Sequence, residues 1–107
     1  MLLSEPMLND VSRFFRALGD PSRLRLLRIL LEAGHPMSQK ALAEAAGLTQ
    51  ANASKHLILL AGAGLVTREP QGNLVLFSAV SPLVPNVCDL VCTQVSARIK
   101  GIYESMA

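Results

Sequence analysis

The sequence predicts a mainly α-helical domain with one small β-hairpin, and three observations carry that reading. Residues 38–62 hold two short amphipathic helices joined through Gly47-Leu48-Thr49. Two strand-like runs, Gly64-Leu65-Val66-Thr67-Arg68 and Leu74-Val75-Leu76-Phe77-Ser78, flank the turn-rich Pro70-Gln71-Gly72-Asn73. Longer helical patterns precede and follow this block. A helix pair that meets across a small turn and runs straight into a hairpin is a winged helix-turn-helix. The expected order is four helices, two strands and a fifth helix in one domain over residues 1–107. The helix-turn-helix falls at 38–62 and the wing at 64–79.

The first helix is carried by Met7, Val11, Phe14, Phe15 and Leu18, which fall at helical spacing and stop near Gly19. Asp20-Pro21-Ser22 then opens the second, an N-cap followed by proline at the position where its missing N–H costs nothing. Leu24, Leu27, Leu30 and Leu31 form its apolar stripe, with Arg23, Arg25 and Arg28 on the polar sides. Such arginines usually face solvent, and Arg28 with Glu32 fits an i,i+4 pair; the other reading sends one of them to a DNA phosphate. Gly34-His35-Pro36 ends the helix and leaves His35 in an exposed loop. Leu42, Ala45 and Ala46 mark the third helix, and Ala53, Leu57 and Leu60 the inner face of the fourth. Opposite that face, near the start of the fourth helix, stand Gln50, Asn52, Ser54 and Lys55, hydrogen-bonding side chains where a recognition helix meets the major groove. The last helix opens at Ser81-Pro82 and carries Val84, Cys88, Val91, Cys92, Val95 and Ile99 on one stripe to about residue 100.

Half of the 107 residues are apolar, too many for a disordered tail and hard for so small a monomer to hide, which favours an oligomer. No apolar run approaches the roughly 18 residues of a membrane span, and no basic flank precedes an apolar core at the N-terminus. The expectation is a cytoplasmic protein with no membrane partner. A net charge of +2 argues only weakly for nucleic acid, but residues 37–68 set Lys40, Lys55 and Arg68 against Glu44 alone. Two cysteines four residues apart are not a secreted disulfide framework.

In order along the chain, Leu18-Gly19-Asp20-Pro21-Ser22-Arg23-Leu24-Arg25-Leu26-Leu27, Leu42-Ala43, Gly47 through Leu57 and Ala63-Gly64-Leu65-Val66 resemble the ArsR/SmtB family of winged-helix repressors. The likeness covers about residues 10–100. It implies a homodimer through the first and last helices (about 7–18 and 82–100), bound to double-stranded operator DNA and released by an inducer. It also implies recognition-helix positions at Gln50, Ala51, Asn52, Ser54, Lys55 and His56. On the helical wheel His56 lies at the edge of the buried face, so packing with one hydrogen-bonded ring nitrogen competes with a phosphate contact. The wing departs from the family pattern: its tip lacks arginine, leaving Arg68 at the base as the nearest cation for a minor-groove contact.

Two familiar sensor sites of that family find no match. Ser38 and Lys40 stand where one has a Cys-x-Cys pair, and the last helix has no histidine for the other. Instead Cys88 and Cys92 sit at i and i+4, with Cβ atoms about 5–6 Å apart on one helix face. They read either as small apolar core residues or as a sensor. Two thiolates suit arsenite or another thiophilic ion, and four across a dimer would suit zinc, at Zn–S about 2.3 Å. Oxidation is the other sensing chemistry, although a disulfide needs Cβ atoms about 3.5–4.5 Å apart and would unwind that turn. No resident cofactor is required. The expectation is a non-enzymatic DNA-binding repressor released at Cys88 and Cys92. The alternative is a DNA-binding dimer with structural cysteines, and a cysteine-based enzyme is remote because neither His35 nor His56 lies near the thiols in sequence.

Overall fold

Each of the first four long helices begins at a side chain that accepts one of its otherwise unpaired backbone N–H groups. In the computed structural model, which describes residues 3–106, Ser4 caps α1 (Glu5–Leu18) and Asp20 caps α2 (Pro21–Ala33). Ser38 caps α3 (Gln39–Ala46), its Oγ 3.1 Å from the Ala41 nitrogen. Thr49 caps α4 (Gln50–Gly62), its Oγ1 3.1 Å from the Asn52 nitrogen. The turn between α3 and α4 depends on Gly47, whose φ of 68° is left-handed and open to glycine at little cost.

The wing consists of β2 (Val66–Gln71) and β3 (Leu74–Ala79), antiparallel and in register from Val66 opposite Ala79 to Gln71 opposite Leu74. The strands run closer to the tip than the sequence suggested: Pro70 and Gln71 are strand residues, and only Gly72 and Asn73 turn the chain. Pro70 is tolerated because β2 is an edge strand and need not donate outward. Gly64 and Leu65 precede the strand. A two-residue strand that the sequence did not announce, β1 (Met37–Ser38), pairs with β3 on its other side, Met37 opposite Phe77 and Ser38 opposite Leu76. The sheet order is β1-β3-β2.

The core lies where α2, α3 and α4 converge under the wing. Leu26, Leu27, Leu42, Leu57, Leu60 and Leu65 are fully buried, closed by Phe77 and Val84. Each buried leucine contributes about 1.5–3 kcal/mol relative to exposure. Two expected core positions are corrected. Leu24 is 44% exposed while Leu26 takes its place inside, and Ala45 faces out while Ala43 faces in.

The last helix, α5 (Leu83–Met106), touches the rest of the protomer only near its start. Val84 is buried, Val87 and Cys88 are half-buried, and residues 89–106 are exposed throughout. On α1, likewise, Met7, Val11 and Phe15 of the predicted stripe lie in the open, Phe15 at 60%. Apolar stripes so regular yet so exposed are faces without a cover in the single protomer. No helix among the described residues is long and apolar enough to cross a membrane.

Candidate DNA interface and cysteine groove

The start of α4 presents Gln50, Ala51, Asn52 and Lys55 to solvent, with Ser54 half-buried beside them. Their display follows from the burial of Ala53, Leu57 and Leu60, which fixes the rotation of the helix about its own axis. The Gln39 side-chain amide donates to the Gln50 carbonyl at 3.2 Å, tying the start of α3 to the start of α4. The four unpaired N–H groups of a helix start, one held by Thr49, make this end favourable to phosphate as well. Arg68, exposed on β2, shares with Ser54, Leu57 and Ile58 a groove of about 370 Å³ between α4 and the wing. The wing's nearest cation and the recognition-type helix thus border one cleft.

His56 is placed differently from its neighbours. It is half-buried, with Nδ1 3.3 Å from Arg23 Nη1 and 4.0 Å from Asp20 Oδ2. Arginine can only donate, so Nδ1 of the neutral ring is the acceptor and the ring hydrogen sits on Nε2. Of the two readings of His56, the packed and hydrogen-bonded one fits this arrangement. Arg23, expected on a solvated face or at a phosphate, turns inward. Its Nε donates to the Ala17 carbonyl at 2.7 Å and its Nη2 to the Arg16 carbonyl at 3.1 Å. Those carbonyls end α1, where backbone partners run out; the Arg16 carbonyl also accepts the Gly19 N–H at 3.2 Å. Asp20 is held below the usual carboxylate range, chiefly because it accepts the Arg23 backbone N–H at 3.0 Å; partial burial opposes this and the nearby Arg23 charge adds to it. Periodicity alone could not have found the Asp20-Arg23-His56 cluster, since Arg23 and His56 lie 33 residues apart. Arg28 and Glu32 form the expected exposed pair at 3.9 Å, and His35 is exposed with Nδ1 2.9 Å from the Pro36 carbonyl.

Cys88 and Cys92 both line an apolar groove of about 270 Å³ between the first half of α5, the last turn of α1 (Phe15, Leu18) and Leu24 of α2. On their other side a second groove of about 360 Å³ is bordered by Arg25, Arg28 and Asp89. Both thiols are free. Burial raises the Cys88 thiol above its ordinary range, and Cys92 and Asp89 push the same way. Among the described residues no third histidine, cysteine or carboxylate joins the pair in a cluster able to hold a metal within one protomer.

A capped helix pair, a two-stranded wing and uncovered first and last helices define a winged helix-turn-helix DNA-binding protein. A helix-turn-helix domain model matches residues 18–69. The transcriptional regulator Rv0081 of Mycobacterium tuberculosis is 31% identical over 96 residues, spanning 90% of this chain and 82% of that protein. Its crystal structure superposes with a TM-score of 0.76, covering 97% of this chain and all of the other. A homodimeric winged helix-turn-helix DNA-binding domain from Mycobacterium bovis gives a TM-score of 0.80 at 26% identity over 90% and 87% of the two chains. The cadmium sensor CmtR of M. tuberculosis gives 0.62 at 38% identity over 75% and 82%. The chain belongs to the ArsR/SmtB family of winged helix-turn-helix proteins and is a DNA-binding transcriptional regulator.

Proposed function

We propose that this protein is a homodimeric repressor that holds operator DNA through α4 and releases it when a thiophilic metal or metalloid ion binds Cys88 and Cys92. The observation that carries the sensor half is the shared groove of the two thiols with the last turn of α1. A ligand there acts where the first and last helices meet, and those helices expose the apolar stripes that a second copy would cover. The homodimeric M. bovis neighbour supports this arrangement, and the cadmium sensor among the relatives supports soft-ion chemistry.

For the output half, Gln50 and Asn52 are the side chains assigned to base edges. Lys55 is assigned to a phosphate, and Ala51 and Ser54 to close approach beside it. Arg68 reaches the backbone or minor groove from the wing. His56 acts from behind this surface.

The donor set fits a soft ion in part. Cys88 and Cys92 of one protomer supply two sulfurs, and a three- or four-sulfur site draws the rest from the other subunit. A bound ion would supply charge that keeps both thiols deprotonated. Arsenite and zinc satisfy the same donors. The raised Cys88 pKa weighs against peroxide sensing, which needs ready thiolate.

The test is fluorescence anisotropy on duplex DNA from upstream of the protein's own gene. The DNA complex is titrated with cadmium, zinc, arsenite and hydrogen peroxide, using the parent protein and Cys88→Ser with Cys92→Ser. Release by one of the ions that the double variant loses supports the proposal. Equal release from both proteins refutes the thiol sensor, no release by any ion refutes ion sensing, and release by peroxide alone would replace the ion with oxidation.

A further inference from the structure

We infer that Arg23 is a positioning residue for the recognition helix: by bonding the Arg16 and Ala17 carbonyls and His56 Nδ1 together, it fixes α4 against the end of α1 and sets DNA affinity without touching DNA. The inference rests on the DNA-binding role alone and is independent of the cysteines.

The chemistry requires arginine. Its planar fork presents five fixed donors, and here three of its nitrogens meet three acceptors on two different helices at 2.7, 3.1 and 3.3 Å. A lysine ammonium, on a flexible stem, cannot span the same three acceptors. The backbone of Arg23 is itself held, since its N–H donates to Asp20 Oδ2, so the side chain starts from a fixed point. At the other end His56 lies one turn beyond Asn52 and next to Lys55, on the helix that carries the groove-facing residues. Elsewhere α4 is held by the Gln39–Gln50 bond at its first residue and by apolar contacts, which are non-directional and fix its distance from α2 and α3 more strongly than its sliding along them. The Arg23-His56 bond supplies direction at the edge of that packing. Bidentate base contacts tolerate little displacement, so losing the anchor lowers affinity although every DNA-facing side chain remains.

Arg23→Ala, Arg23→Lys, His56→Gln, His56→Leu and the double variant Arg23→Ala/His56→Leu are compared by anisotropy on the upstream duplex across a salt series, with melting curves for each. Arg23→Ala and Arg23→Lys should each weaken binding about tenfold with the salt slope unchanged. His56→Gln, which keeps an acceptor, should stay within about threefold of the parent, while His56→Leu should match Arg23→Ala. The double variant should bind no more than about twofold more weakly than Arg23→Ala, because both remove one contact.

Affinity in Arg23→Ala within about twofold of the parent overturns the inference. So does a salt slope smaller by about one, which would put Arg23 on a phosphate, or full affinity in Arg23→Lys, which would make charge alone the cause. Hydrogen exchange on the free protein reads the same contact without DNA, and Arg23→Lys serves if Arg23→Ala does not fold. Protection should fall in residues 50–57 and in the last turn of α1 but hold in α3. Unchanged protection in 50–57 overturns the inference.

Discussion

Thr49 Oγ1 accepts the Asn52 backbone N–H at 3.1 Å, so the residue that starts the recognition helix also fixes the backbone of a residue that helix displays. Thr49→Ala removes the acceptor and should cost about 1 kcal/mol in urea unfolding, with Thr49→Ser close to neutral. DNA affinity should fall with it, since the first turn of α4 frays. Equal stability of Thr49→Ala and the parent would refute the cap.

Lys55 and its neighbours divide the labour at the proposed interface. Lys55→Ala should weaken binding to every duplex and reduce the salt slope by about one. Gln50→Ala and Asn52→Ala should instead change which base is preferred, by about 1–3 kcal/mol at one position, with the slope retained. Competition binding on single-base variants of the site separates the two behaviours.

Asp20 gives the fold a defined acid response. Its folded carboxyl is held below the ordinary range, first through the Arg23 backbone N–H, so its contribution is present above the unfolded pKa and lost as pH falls through the folded one. Urea unfolding from about pH 7 to about pH 3 should find Asp20→Asn less stable than the parent at the upper end. The gap should close towards the lower end. A gap that persists unchanged would mean that the charge of Asp20 contributes nothing.

Val95 and Ile99 are 49% and 48% exposed in the protomer, so a charge at either disturbs no internal packing. If α5 covers a second copy, Val95→Glu or Ile99→Glu buries that charge twice across a two-fold axis. Analytical ultracentrifugation should find monomers with unchanged helicity, and affinity for a two-half-site duplex should collapse. Dimers of unchanged strength would place the interface elsewhere.

The helices were legible because spacing and caps agree. Leu57 and Leu60 repeat on one face, and Asp20 stands where an N-cap belongs; the caps at Ser38 and Thr49 emerge only in the structure. The exchange of Leu24 for Leu26 has a physical cause: α2 lies between the core and the α1-α5 groove, so it carries leucines on two faces, and periodicity cannot say which is inner. A strand as short as Met37-Ser38 leaves no period to read. The inward turn of Arg23 escaped for another reason. Its acceptors are backbone carbonyls and a histidine far along the chain, and a local pattern records neither. Gln50, Asn52 and Lys55 were readable as exposed polar residues, whereas the groove shared by Cys88 with Phe15 and Leu24 depends on how α5 is seated.

Ser38 belongs to two elements at once: it pairs with Leu76 in the sheet, and its hydroxyl starts α3. The wing and the helix pair are therefore stitched through a single residue, and neither swings without carrying the other. Each protomer offers DNA one stiff reading head. A signal arriving at the far helices meets a head that moves as one piece with the end of α1, so what it alters is the separation and tilt of two heads in the proposed dimer. The protein would then act as a caliper, with operator spacing, not the shape of the reading surface, as the quantity under control.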